Sequence, residues 1–171
     1  MMSDHNKIAA KIDKILAAKP LKIADLQPVF TKVSQKLNQL IGHKLLTFTV
    51  IHPNGDCVIR LFSNLQGDYA LEDTKPMVKD EWSEQVIENS IPFYVSTAQQ
   101  MQPILPDYQK LADMGLGSMM NIPICENGKT IGTANLLDAD GAYQNIDFKS
   151  LIECCQLVAP IFAAYRKYNC T

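Results

Sequence analysis

Two asparagines stand where an apolar strand would place Val or Ile. Asn121 and Asn135 interrupt the runs Ser118–Cys125 and Thr130–Leu137, and a carboxamide inside such a run must be satisfied by backbone, by water or by a ligand. Ser118 adds a hydroxyl to the same stretch. Arg60 and Ser63 place a planar donor fork beside a hydroxyl, a pairing able to clamp a carboxylate, although an exposed arginine bonded to a nearby acid is an equally good reading. Tyr69, Lys75 and Trp82 supply aromatic walls and one cation, which suit a small polar ligand. Trp82 also shares a helical face with Val86, the spacing of a core residue. Asp107, in Pro-Asp-Tyr, reads as a helix cap.

The other reactive side chains form no comparable set. Cys57, Cys125, Cys154, Cys155 and Cys170 are odd in number and lack CxxC or Cys/His spacing, so neither a disulfide framework nor a zinc site is expected. They read as buried free thiols. His5, His43 and His52 are dispersed, and no metal or cofactor is expected from them. With 16 basic and 18 acidic residues and a net charge of −2, the chain lacks the basic footprint of a nucleic-acid binder. No apolar run approaches the length of a membrane span, and MMSDHNKIAAKIDK is too polar for a secretory signal. A cytoplasmic protein with neither nucleic acid nor membrane among its partners is expected.

The elements that must hold these residues follow from periodicity. Asn6–Ala18 carries Ile8, Ile12, Ile15 and Leu16 on one face, an amphipathic helix ending before Pro20. Ile23–Ile41 repeats apolar residues at steps of three and four until Gly42, with Pro28 placed within the first turns. Leu45–His52 and Cys57–Phe62 flank His52-Pro53-Asn54-Gly55-Asp56 as a β-hairpin. Ser63–Met77 reads as a long loop. A helix over Lys79–Asn89 and a strand over Ile91–Val95 follow. Thr97-Ala98-Gln99-Gln100 has capping-box spacing, and Asp107–Met114 is a further short helix. Glu126-Asn127-Gly128-Lys129 joins the two Asn-bearing runs as a second hairpin, Asn-Gly being the strongest short-range turn signal. A long helix from about Asn145 to Lys167, kinked at Pro160, closes the chain. The predicted division is an N-terminal amphipathic helix, residues 1–20, and a domain over residues 21–171.

From about Leu26 to Tyr165 the sequence resembles a GAF domain, most specifically in SMMNIPICENGKTIGTANLLD. That stretch is similar to the family's Ser, Val/Ile-Pro, Gly turn, Ile-Gly and apolar strand ending near Asn. The resemblance implies an α/β (α+β), GAF/PAS-like fold. It comprises a central antiparallel sheet of five to six strands, terminal helices on one face, and loops plus short helices over a ligand pocket on the other. The pocket would lie between the sheet and Ser63–Met114, with Tyr69, Lys75 and Trp82 over it. Asn135, Tyr143 and Asp147 match the Asn, aromatic and Asp positions of cyclic-nucleotide-binding relatives, but Leu136 replaces their Lys and Phe148 their Glu. The Gly-rich and Ile-Ala-Cys-Asp-like segments of free methionine-(R)-sulfoxide reductases, also GAF proteins, do not occur.

The expected function is a stand-alone, non-catalytic sensor of a small polar or anionic metabolite, contacted by Arg60, Ser63, Tyr69, Lys75, Trp82, Ser118, Asn121 and Asn135. It would act through a partner or as a homodimer through its helices. The alternatives are a GAF-fold enzyme related to those reductases, and a dimerisation module with a vestigial pocket.

Overall fold

The Asn127-Gly128 pair turns the chain as its type demands: both residues have positive φ, 51° and 77°, the geometry of a two-residue type I′ hairpin loop. It joins β5, Ser118–Glu126, to β6, Lys129–Asp138. β6 pairs on its other side with β1, Leu45–Ile51, and β1 with β2, Cys57–Ser63. Two short edge strands complete the sheet, β3 at Thr74–Pro76 and β4 at Phe93–Val95. The computed structural model describes residues 1–170. Its six strands run in the order β3-β2-β1-β6-β5-β4, every neighbouring pair antiparallel.

Alternation along each strand divides the sheet into two unlike faces. Leu46, Phe48 and Val50 of β1, Met120, Ile122 and Ile124 of β5, and Ala134 and Leu136 of β6 enter the larger core. That core lies under four helices: α1 (Asp4–Leu16), α2 (Ile23–Leu40), α6 (Phe148–Gln156) and α7 (Ala159–Tyr168). Phe30, Phe48, Phe62 and Phe162 meet at its centre, with ring centroids 5.2 to 6.3 Å apart, spacings at which tilted aromatic rings attract. Gly132 lets this layer close, because a Cβ there would overlap the Phe162 ring and the Thr49 carbonyl. Ile8 and Ile12 of α1 are buried in the same core, so the apolar stripe of the first helix is used by its own domain.

The opposite face carries a smaller apolar cluster, Leu45, Val95, Met101, Leu111, Leu116, Met119 and Leu137. It is covered by the 64–73 loop, α4 (Ala98–Met101) and α5 (Tyr108–Asp113). A short helix, α3 (Glu81–Ser83), continues as one π-helical turn, Glu84–Glu88, packed against β5 and β6.

Several expected boundaries are corrected. Helix α1 begins at Asp4, capped by Ser3. Pro28 does fall within the first turns of α2, as its sixth residue, but there its missing N–H removes one helical bond. Ser63–Met77, expected as a loop, contains β3. The single C-terminal helix is two helices set 43° apart. Its break precedes Pro160, because that ring has no N–H for the Gln156 carbonyl, the last residue of α6. Thr97 forms the expected capping box with Gln100, whereas Asp107 precedes α5 without a side-chain cap bond. Among the described residues no single helix is long and apolar enough to cross a membrane.

Candidate functional site

The face opposite the four helices is polar at its middle. Asn121 and Asn135 are direct cross-strand partners, as are Asn135 and Thr47, and Thr49 and Thr133. The five side chains are tied into one chain of hydrogen bonds that begins off the sheet. Trp82 Nε1–H donates to Asn121 Oδ1 at 3.0 Å, and Asn121 Nδ2 donates to Asn135 Oδ1 at 2.8 Å. Asn135 Nδ2 then donates to Thr47 Oγ1 at 3.1 Å and Thr49 Oγ1 at 3.3 Å. Thr49 and Thr133 hydroxyls are 2.8 Å apart. The direction is set at the first link, because an indole N–H only donates; Asn121 must turn its oxygen to Trp82 and its NH2 to Asn135. Thr47, accepting from Asn135, keeps its hydroxyl proton free to donate elsewhere. Asn121, Thr47, Thr49 and Thr133 are buried, and Asn135 is half-buried.

Trp82 is delivered to this ladder by the turn before it. Asp80 accepts from Ser83 N–H at 2.8 Å and Ser83 Oγ accepts from Asp80 N–H at 2.9 Å, a capping box that starts α3. The following π-helical turn is pinned where Thr130 Oγ1 donates to the Val86 carbonyl at 3.0 Å.

At the β2 end, Arg60 pairs across the strands with Thr49 and Ser63 with Thr47. The Arg60 side chain is only 15% exposed, and its Nη1 donates to the Ala70 carbonyl at 3.0 Å and to Asp73 Oδ2 at 3.2 Å. Tyr69 lies between two cations, its ring centre 5.2 Å from Arg60 Cζ and 4.4 Å from Lys110 Nζ, distances at which the ring quadrupole attracts positive charge. Burial, reinforced by the Asp107 carboxylate and opposed by Arg60, pushes the Tyr69 phenol up to about 12. It therefore stays a neutral donor throughout the physiological range.

The sequence-predicted residues divide accordingly. The structure bonds Trp82, Asn121 and Asn135 together and sets Arg60 against Tyr69 on the same face. Ser63 shares that face, but its hydroxyl accepts from Leu65 N–H at 3.1 Å and shapes the loop start. Lys75 is exposed on the edge strand β3, opposite Val58. Ser118 lies elsewhere: strand alternation puts it with Met120 on the helical side, where its hydroxyl donates to the Ala139 carbonyl at 2.7 Å. Thr47, Thr49, Thr133 and Lys110 were missed. The alternation of Thr47 and Thr49 with Leu46, Phe48 and Val50 was the available signal for the first two.

The residues matching the cyclic-nucleotide pattern have structural partners. Tyr143 is fully buried and donates to the Gly42 carbonyl at 3.2 Å, while Asp147 caps α6 by accepting from Ser150 N–H at 3.3 Å. Cys154 and Cys155 lie on α6, across the sheet from the polar ladder. Burial raises the Cys154 thiol to about 11 and holds Cys155 well above the ordinary thiol value, which disfavours the nucleophilic thiolate. Among the described residues, no group of three or more His, Cys, Asp or Glu side chains is placed to hold a metal ion. Two open clefts of about 470 and 460 Å³ run along α1 and α2, away from the polar ladder.

A six-stranded antiparallel sheet with a helical layer on one side and a polar, loop-covered face on the other is the GAF fold, and this chain has it. Solved structures agree over 81% to 98% of the chain. The GAF domain of an Acinetobacter phosphoenolpyruvate-protein phosphotransferase superposes with a TM-score of 0.64 at 11% identity, covering 95% of each chain. That of a two-component sensor histidine kinase from Bacillus halodurans gives 0.59 at 18% identity, covering 81% of this chain and 91% of the other. The free methionine-R-sulfoxide reductase of Neisseria meningitidis, solved with its substrate, gives 0.53 at 14%, covering 98% and 95%. No protein-family model and no curated protein matches the chain.

Proposed function

We propose that this chain is a sensory or regulatory GAF-type domain that binds a small polar ligand on the sheet face bearing Asn121 and Asn135, catalyses no reaction, and acts through a partner or its own oligomer. The observation carrying this reading is the ladder Trp82–Asn121–Asn135–Thr47/Thr49–Thr133. A face needed only for packing is better filled with aliphatic side chains, which bury apolar area without a desolvation penalty. Three adjacent strands instead place amides and hydroxyls there. Arg60, Ser63, Tyr69 and Lys75 flank this floor at its β2 side.

Thermal-shift screening with amino acids, purines, nucleotides and 2-oxo acids tests the proposal, since a ligand binding only the folded state raises its melting temperature. A compound that stabilises the parent but not Asn135→Ala supports it. No shift from any class, together with a stable dimer, favours the dimerisation module.

The likeness to the Neisseria enzyme keeps a redox reading available. Its discriminating assay is reduction of free methionine sulfoxide by the parent and by a form with all five Cys replaced by Ser. Activity lost in the Cys-free form would overturn the binding-only reading.

A further inference from the structure

Among the described residues, two buried polar atoms on the ladder side of the sheet make no direct hydrogen bond, Arg60 Nε and Tyr69 Oη, the latter beside the Asp107 carboxylate. They belong to side chains in contact, with Arg60 Cζ 5.2 Å from the Tyr69 ring centre. The side-chain hydrogen bonds of Arg60 both leave from Nη1, to Ala70 and Asp73. The guanidinium is thus anchored by one corner, with the edge formed by Nε and Nη2 unused. Buried donors without acceptors are costly and uncommon in native structures. The N–H groups along that edge are parallel and coplanar, the geometry that matches the two oxygens of a carboxylate.

We propose that the free Arg60 edge and the Tyr69 hydroxyl receive the carboxylate of a small monocarboxylate ligand, whose remaining atoms lie along the Thr49, Thr133 and Asn135 floor. The assignment rests on the sheet face being the ligand site. Lys110, held by the Asp68 carbonyl at 2.9 Å, adds positive charge on the ring of Tyr69. Asp73 is engaged by Nη1, and Asp68 and Asp107 add negative charge near Tyr69. That balance accommodates a single ligand charge better than a dianion, because each further negative charge meets these carboxylates. The register of Arg60 opposite Thr49 sets the direction, with the charged end toward β2 and the neutral end over β6. Tyr69 is the specificity element, since its hydroxyl, set beside the Asp107 carboxylate without a direct hydrogen bond, can turn its donor to a ligand oxygen.

The test is a thermal-shift titration of the full chain with small monocarboxylates (2-oxo acids and amino acids), the matching primary amides, and inorganic phosphate. It is run on the parent, Arg60→Lys, Tyr69→Phe and Asn135→Ala. At least one acid is expected to raise the melting temperature while its amide does not. Its apparent affinity should fall about tenfold in Arg60→Lys, which keeps the charge but loses the fork, and several-fold in Tyr69→Phe. Tyr69→Phe removes a hydroxyl that makes no direct hydrogen bond and lies beside Asp107, so its unliganded melting temperature should change little; it decides the matter if Arg60→Lys does not fold. Binding of an amide or of phosphate as tight as that of the acid, or unchanged affinity in the variants, overturns the carboxylate assignment. A neutral compound that binds and is lost in Asn135→Ala leaves the sheet-face site standing and removes only this inference. No stabilisation by any compound removes both.

Discussion

Asn121 and Asn135 face each other across β5 and β6, and the amide of the first donates to the carbonyl oxygen of the second over 2.8 Å. The pair is the middle of a polar chain that starts at Trp82 and ends at Thr133, and the indole N–H at its start fixes the orientation of both amides. Removing one member strands its neighbours in a buried environment, whereas the pair together is worth only a modest net amount.

Asn135→Ala should therefore destabilise the protein by about 1–3 kcal/mol, because Asn121 loses an acceptor and Thr47 and Thr49 lose a donor. Urea unfolding of Asn121→Ala, Asn135→Ala and the double variant checks this. Their coupling energy should be about 0.5–3 kcal/mol, the double variant costing less than the sum. Strict additivity would show that the two amides do not act as a unit.

Trp82→Phe keeps part of the half-buried ring and deletes one donor, leaving Asn121 Oδ1 without its 3.0 Å partner. A loss of about 1 kcal/mol in urea unfolding is expected. Trp82 is the only tryptophan, so a ligand that enters the ladder face should shift the emission of the parent. An unchanged emission spectrum at saturating ligand would place the bound molecule elsewhere.

Gly132→Ala directs a methyl group into the Phe162 ring and to 2.5 Å from the Thr49 carbonyl oxygen. Phe162 is held by Phe30 and Phe48, so the ring cannot withdraw cheaply. The variant should lose about 3 kcal/mol, at the upper end of ordinary overpacking costs, measured as a lower urea midpoint. A midpoint within error of the parent would mean that the layer between β6 and α7 yields easily.

His43 makes stability pH-dependent. Its Nε2 lies 3.1 Å from the Ser34 carbonyl oxygen, so the neutral ring carries its proton there, and its buried Nδ1 has no partner. Burial lowers the ring's pKa below 6.5, against the opposing pulls of the Ser34 carbonyl and Asp138. The folded state thus binds its proton less readily than the unfolded state. The His43 contribution is complete above the unfolded pKa and declines as pH falls from about 6.5 through the lower folded value. Unfolding free energies at pH 7.5 and pH 5.5 should differ more in the parent than in His43→Gln. An equal difference in the two would remove His43 as the cause.

Much of the fold is readable in local chemistry. Asn127-Gly128 specifies a type I′ turn because those residues tolerate positive φ, and the Thr97/Gln100 capping box needs only residues three apart. The apolar spacing of Ile23–Ile41 locates α2 to within one residue. The edge strand β3 was hidden for the opposite reason: Thr74-Lys75-Pro76 is exposed, short and not apolar, and becomes a strand only because β2 lies beside it.

The site was readable as residue types and not as an arrangement. Composition and period are local properties, and they suffice to place two amides in apolar strands with Arg60, Tyr69 and Trp82 as their companions. That Asn121 and Asn135 meet, that Thr47 and Thr49 complete their bonding, and that Ser118 turns to the other face follows from long-range strand pairing. Cross-strand register links residues 14 to 88 positions apart, and strand alternation then assigns each side chain its face. The pairing of Arg60 and Lys110 around Tyr69 is likewise a product of loop and helix packing, which no spacing along the chain records.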